Sequence, residues 1–462
     1  MSNGFSSPYS DYQQASCQWL DSIPQHWIEC RIKQIVSTPV TDGPHETPKF
    51  EDDGVPFLSA ESVKDLKLDF ARKRGFISRT LHEQYSRKYV PERGDIYMVK
   101  SGATTGALAI VETDEEFNIW SPLAAIRCRK DLCFDRFVFY AMQSEFFQRS
   151  VELSWSFGTQ QNIGMGVIEN LFIARPPVTE QKQIAAFLDY ETAKIDALIA
   201  MQQQLIALLG EKRQAVISHA VTNGLNPDAP MRDSGVQWLG EVPEHWTTSR
   251  IGWLCPYLSY GFTNPMPTTD EGPHMLTAAD ISFEGVLYDT ARRTSQSAFN
   301  DLSGKSKPLA GDVLVTKDGS LGRVTAYDGE RPVCISQSVA LLRPDTRVVD
   351  PKFLALALSG ADYQSKMIFD AGGTTIKHIY ISILAKMNFW FPGLDEKAKI
   401  VTAAAQRTDK MDELIDAATE AAELLRERRT ALISAAVTGK IDVRGWKPPS
   451  SAAKSETEME VA

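Results

Sequence analysis

"RQAVISHAVT" spans Arg213–Thr222, and "RTALISAAVT" spans Arg429–Thr438. The two stretches lie 216 residues apart. Extended backwards without a gap, the pairing aligns Thr179–Thr222 with Asp395–Thr438, and 17 of the 44 paired positions are identical. Earlier landmarks repeat in the same order. "WLDSIPQHW" (Trp19–Trp27) returns as "WLGEVPEHW" (Trp238–Trp246), and "GDIYMVKSG" (Gly94–Gly102) returns as "GDVLVTKDG" (Gly311–Gly319). "FGTQQNI" aligns with "GGTTIKH" when Gly158 and Thr159 are set on Gly373 and Thr374. Two copies are too few for a solenoid, so the chain reads as a duplicated two-part module.

The second part of each copy is helical. Ile184, Leu188, Ile195, Leu198, Ile199, Leu205, Ile206, Leu209, Val216 and Ile217 recur at three- and four-residue steps. Ile400, Met411, Leu414, Ile415, Leu425, Leu432 and Ile433 do so in the second copy, with alanines between them. This period has partly heptad character, and Ile195, Leu198, Leu205, Leu209, Val216, Met411, Leu414, Leu425 and Leu432 are the expected seam of a coiled coil. Thr179-Glu180 and Asp395-Glu396 supply caps and an acidic first turn. Asn223-Gly224 and Gly439 supply left-handed ends. Gly210 predicts a local irregularity. A helix with such a stripe needs a partner, and its own copy, antiparallel to it, is the simplest one. About 40 residues at 1.5 Å each make a rod of roughly 60 Å.

The first part of each copy alternates short β-like runs, such as "DIYMV", "AAIRC", "DVLVT" and "VALLR", with Gly, Pro, Asp and Thr punctuation. The fold class is α+β.

The bulk numbers exclude several classes. No apolar run is long enough to predict a transmembrane helix, and "MSNGFSSPYSDYQQ" does not read as a signal peptide. Six scattered cysteines without zinc spacing predict reduced thiols and a cytoplasmic protein. A net charge of −10 argues against a uniformly basic DNA binder, although binding needs only a local basic face.

As a set, the tryptophan boxes, "GDVLVTKDGSLG", "GTQQNIGM", "PVTEQKQI" and "RTALISAAVTGKIDVR" resemble the specificity (S) subunits of type I restriction–modification systems. The resemblance covers nearly the whole chain. It implies two pseudo-symmetric α/β target-recognition domains, each reading half of a split double-stranded DNA site, separated by a long antiparallel two-helix coiled coil that acts as a ruler. It also implies two methyltransferase (M) subunits and restriction (R) subunits as partners, with S-adenosylmethionine, ATP and magnesium belonging to those partners and no cofactor in this chain. The expected layout is a first recognition domain over 1–178, a central helix over 179–225, a second recognition domain over 226–393, a C-terminal helix over 394–442 and a disordered tail over 443–462.

Candidate DNA contacts follow from residue chemistry. In "KSGATTG", Lys100, Ser101, Thr104 and Thr105 combine charge, hydroxyls and glycine-exposed backbone; Lys317 and Ser320 do so in "KDGSLG". A β-turn with a solvated lysine fits both equally. Thr159, Gln160, Gln161 and Asn162, and Thr374, Thr375 and Lys377, lie in polar loops before the helices, where amides can read adenine edges. A plain hinge loop is the alternative. Basic clusters at Arg72, Lys73, Arg74, Arg87, Lys88, Arg292, Arg293, Lys305 and Lys307 suit phosphates.

His26 and His245 have no companion at ligand spacing, so packing is the expected role. Trp19, Trp27, Trp238 and Trp246 are expected anchors. Adenine-methyltransferase, P-loop, HExxH and GxSxG motifs are absent, which predicts a non-catalytic chain. A non-catalytic coiled-coil scaffold that binds peptides is the rival reading.

Overall fold

Six helices organise the molecule. In chain order they are α1 (Asp135–Gln143), α2 (Glu145–Leu153), α3 (Val178–Asn223), α4 (Pro351–Ser359), α5 (Ala361–Asp370) and α6 (Leu394–Val437). The computed structural model describes residues 8–17, 20–157, 161–373 and 377–448. Trp19, Thr159, Gln160, Thr374, Thr375 and the tail from residue 449 lie outside the described residues; the start of the segment expected to be disordered from residue 443 is instead packed, with Val443 and Trp446 buried in the first unit's core. Contacts divide the chain into two units, one running to Met201 and resuming at Ala421, the other spanning Gln202–Glu420. Each unit therefore owns one α/β domain and a half of each long helix.

The two domains are built alike. In the first, an antiparallel sheet orders Leu108–Ile110, Ile96–Val99, Leu123–Ile126 and Thr41–Asp42. In the second, the matching sheet orders Val324–Ala326, Val313–Thr316, Val339–Arg343 and Tyr257–Tyr260. A three-stranded sheet accompanies each, with one parallel pairing: Asn118–Ile119 on Val55–Leu58, and Val333–Ile335 on Thr269–Leu276. Central strands are buried on both faces, which is why they read as continuous apolar runs without alternation.

α3 and α6 run antiparallel within each unit. In the first, Asp196 pairs with Arg429 at 2.8 Å, while Gln183, earlier in α3, reaches the Trp446 carbonyl beyond the end of α6. In the second, Arg213 pairs with Asp412 at 2.8 Å. Buried and half-buried positions recur at Thr192, Ile195, Ile199, Gln202, Ile206, Leu209, Arg213, Val216 and Ala220, a three–four alternation. The matching row in α6 is Ala404, Thr408, Met411, Ile415, Ala418, Ala422, Leu425, Arg429, Leu432 and Ala436.

This row corrects the seam expected from apolar residues alone. Leu198, Leu205 and Leu414 are 46%, 43% and 55% exposed, and the inward positions beside them belong to Ile199, Ile206 and Ile415. α3 also runs unbroken through Gly210, where an added Cβ would meet nothing. A penalty of about 1 kcal/mol for one glycine does not break a helix packed over many turns. Thr179 and Asp395 lie inside their helices rather than capping them, because each helix starts one residue earlier, with Pro177 and Gly393 carbonyls accepting the first turn's N–H groups.

Each domain sits on its helices through its tryptophan box. The buried Trp27 indole donates to Glu180 in the first turn of α3, at 3.1 Å, and Tyr9 donates to the same carboxylate at 2.6 Å. His26 pairs with the other Glu180 oxygen at 2.8 Å. The end of α6 closes the other side: a Cβ on Gly439 would lie 2.3 Å from Pro24 and 3.4 Å from the Trp27 ring. In the second unit, Trp246 donates to Glu396 at 3.3 Å, His245 pairs with Glu396 at 2.8 Å, and a Cβ on Gly224 would lie 3.5 Å from the Trp246 ring. Gly439 and Gly224 have φ of 74° and 76°, so glycine satisfies both the left-handed helix end and the close approach.

The copies differ one residue further along. Gln181 is fully buried and its amide is satisfied by Leu132 and Pro176 carbonyls and the Phe134 N–H. Its counterpart Lys397 is 1% exposed, with the Val348 carbonyl and the Phe391 ring as neighbours. Burial lowers its pKa below the ordinary lysine value, with Asp350 opposing. A lowered folded pKa means the second unit gains stability as pH rises from that value towards about 10.4, where the unfolded lysine titrates. Lys397→Gln should flatten that rise in urea unfolding curves and raise the midpoint at pH 7. Trp246→Ala should cost the second unit about 3–5 kcal/mol, read from the same curves.

Candidate nucleic-acid interface

The two polar segments flagged in each copy meet in space. Ile96–Val99 leads into Lys100, and the chain turns back through Gly102 and Gly106, whose φ values are 110° and 96°. Ser101 bridges to Asn162, Gly102 N–H donates to the Gln161 carbonyl at 3.1 Å, and Ile163 N–H donates to the Lys100 carbonyl at 2.8 Å. The buried Thr105 hydroxyl donates to the Gly102 carbonyl at 2.7 Å, which locks the turn; Thr104 stays exposed. In the second copy, Asp318 bridges to His378 and Ile379 N–H donates to the Lys317 carbonyl at 2.9 Å. Ser320 and Lys377 are exposed there.

These contacts fix the register at 216 residues: Asn162 matches His378 and Ile163 matches Ile379. The earlier alignment of Gly158 on Gly373 is one residue out. Glycine identity drew it, whereas the backbone pairing determines it.

Each loop pair holds its lysine beside a residue that sequence reading passed over. Asp42 is 1% exposed and meets Lys100 at 3.3 Å, Lys88 at 2.6 Å and His45 at 3.1 Å. Burial works to raise the Asp42 pKa, but the hydrogen bond and charge of Lys88, with the charge of Lys100, hold it below the usual value. The matching strand position is Tyr260, since Asp42 pairs with Ala124 and Tyr260 with Ala340. Lys317 and Lys305 lie 5.4 and 5.8 Å from the Tyr260 ring centroid. Lys317 also reaches Asp318 at 3.1 Å and His378 at 3.4 Å.

Both positions precede a glycine with no room for a side chain. A Cβ on Gly43 would lie 1.8 Å from the Ile119 carbonyl oxygen, and one on Gly261 1.6 Å from that of Ile335. In the sequence the two positions share only the glycine that ends "TDG" and "SYG".

Four of the remaining cations have local partners. Arg72 lies 3.4 Å from Asp69, Lys73 stacks over Phe76, and Arg74 pairs with Glu61 at 3.1 Å and stacks over Trp120. Lys307 donates to the Asn300 carbonyl at 3.0 Å. Arg292 and Arg293 lie on the edge of the second domain's three-stranded sheet, and Arg87 is exposed after a short helix. Among the described residues, no group of three or more His, Cys, Asp or Glu could hold a metal, and no helix is long and apolar enough to cross a membrane.

Fold and loops define a duplicated α/β module whose two domains present matched lysine–glycine turns. The family model for the type I restriction modification DNA specificity domain matches twice, over residues 24–208 and 243–421. The chain is 24% identical over 356 residues to the type I restriction enzyme EcoBI specificity subunit of Escherichia coli, covering 73% of this chain and 74% of that protein. It is 22% identical over 435 residues to the type I restriction enzyme MjaVIII specificity subunit of Methanocaldococcus jannaschii, covering 91% and 94%. A chain solved in work on complex assembly and conformational transition of the type I R-M system shares the fold, with a TM-score of 0.66 at 16% identity over 90% of this chain and 99% of that one. The chain belongs to the family of type I restriction–modification specificity subunits.

Asp42 gives this region an acid limit. Its lowered folded pKa contributes stability that is present above the ordinary carboxylate value of about 3.9 and is lost as pH falls through the folded value. Asp42→Asn should flatten the acid limb of thermal melts between about pH 5 and pH 2.

Proposed function

We propose that this chain reads a two-part double-stranded DNA site, one α/β domain to each half-site. The observation that carries this reading is the paired construction of the loops: Lys100–Thr105 against Gln161–Asn162, and Lys317–Ser320 against Lys377–His378. Each pairing puts an ammonium, glycine-exposed backbone and side-chain amide or imidazole groups within one patch. Phosphate contacts of this type position a protein on a duplex, and groove-facing polar side chains choose among bases.

α3 and α6 set the separation of the domains. Half-sites one turn apart on the same face of the duplex are about 34 Å apart. The outward leucines Leu198, Leu205 and Leu414 give the helices apolar surface for methyltransferase subunits, with restriction subunits joining that complex. The chain contributes recognition and no bond-breaking chemistry; S-adenosylmethionine, ATP and magnesium serve the partner subunits.

Selection from random-sequence duplexes by the chain with its methyltransferase partners should return a two-part motif. Binding should weaken with salt, and Arg87→Ala or Arg292→Ala should each reduce the log–log salt slope by about 0.9 without changing the motif. Recovery of no motif, with binding indifferent to salt, would leave the peptide-binding scaffold as the better reading.

A further inference from the structure

A short helix in each unit ties the long helices to the lysine–glycine turn. α2 starts on α6: the Glu145 N–H donates to the Ser434 hydroxyl at 2.9 Å. α5 starts on α3 by the same contact, the Ala361 N–H donating to Ser218 at 2.8 Å. One turn on, Gln148 in α2 donates to the Gly106 carbonyl at 3.3 Å and to the Met142 carbonyl of α1 at 2.7 Å. Gln364 in α5 donates to the Gly322 carbonyl at 2.7 Å and to the Leu358 carbonyl of α4 at 2.6 Å.

The two glycines close the turns. Gly106 N–H donates to Val99 and Gly322 N–H to Thr316, with φ of 96° and 79°. A side chain at either would crowd its glutamine: an added Cβ would lie 3.2 Å from the Gln148 amide oxygen and 2.7 Å from that of Gln364. Serine, glutamine and glycine each recur at an offset of 216 residues, although the domains around them have diverged.

We infer that Gln148 and Gln364 are positioning residues that fix the pose of the Lys100–Gly106 and Lys317–Gly322 turns relative to the long helices, and so set base discrimination at one half-site each. This rests on the DNA-reading function above. An amide that shares one N–H₂ group between a helix end and a turn carbonyl removes freedom from the turn before DNA arrives, and discrimination depends on groups being held within a fraction of an ångström. The donors are aimed at backbone, so neither glutamine reads a base itself.

Gln148→Met keeps side-chain length and removes the donor. In the full chain with its methyltransferase partners, anisotropy titrations would use the selected duplex and duplexes altered in one half-site or the other. Gln148→Met should lower discrimination at one half-site about tenfold, leaving the other half-site and the salt slope unchanged. Gln364→Met should do the same at the opposite half-site, and Ser434→Ala should share the Gln148→Met half-site. Unchanged discrimination in both glutamine variants would overturn the inference. So would an equal loss at both half-sites together with a lowered melting temperature, which marks a merely structural role. A wild-type chain that selects no sequence would instead overturn the DNA reading.

Discussion

A carboxylate at the first turn of each long helix holds the architecture together. Glu180 is 7% exposed, and a buried charge is costly unless donors surround it. Tyr9, His26 and Trp27 surround it, and the positive end of α3 favours it further. Three side chains of the first domain thereby commit to the start of one helix. Gly439 then lets the end of the other helix close on Pro24 and the same indole. Glu396, Trp246 and Gly224 repeat the arrangement. A domain seated this way touches both helices at once, so its lysine–glycine turns are referred to the helix pair rather than to a flexible linker.

The same economy runs through the domain interiors. Arg127 makes a two-pronged contact with the buried Asp95, and Arg343 does so with the buried Asp312, each ion pair bracing the strand that leads into a lysine turn. Asp95 and Asp312 belong to the repeated "GD" pairs. What is repeated is the frame that supports the turns. What differs, as at Asp42 and Tyr260, lies beside the lysines that the turns carry.

Much of this frame was legible in the sequence because it depends on residues that few others can replace. The closing helix segments, the tryptophan boxes and the "GD" pairs kept their identity, and they located the repeat and the α/β parts. Apolar spacing alone places the heptad row one position off at Leu198, Leu205 and Leu414. Its true members include Thr192, Gln202, Arg213 and Arg429, and a search for apolar residues passes over polar side chains that face a partner helix. Asp42 and Tyr260 were invisible for a different reason. Their equivalence rests on strand pairing with Ala124 and Ala340, and an acid and a phenol share no pattern. Gln148 and Gln364 sat in plain view 216 residues apart, but a glutamine on a short helix carries no signal until its carbonyl partners are known.

The confinement of Lys100 and Lys317 has an entropic consequence. A free surface lysine loses about 1.5–2 kcal/mol of rotamer freedom when it is fixed. Lys100 retains 12% side-chain exposure against Asp42, and Lys317 retains 7% among Asp318, His378 and Tyr260. Their freedom is largely surrendered when the chain folds. An anion that meets these ammonium groups encounters cations already in place, so its association carries less conformational cost than contact with the long, mobile side chains elsewhere on the surface.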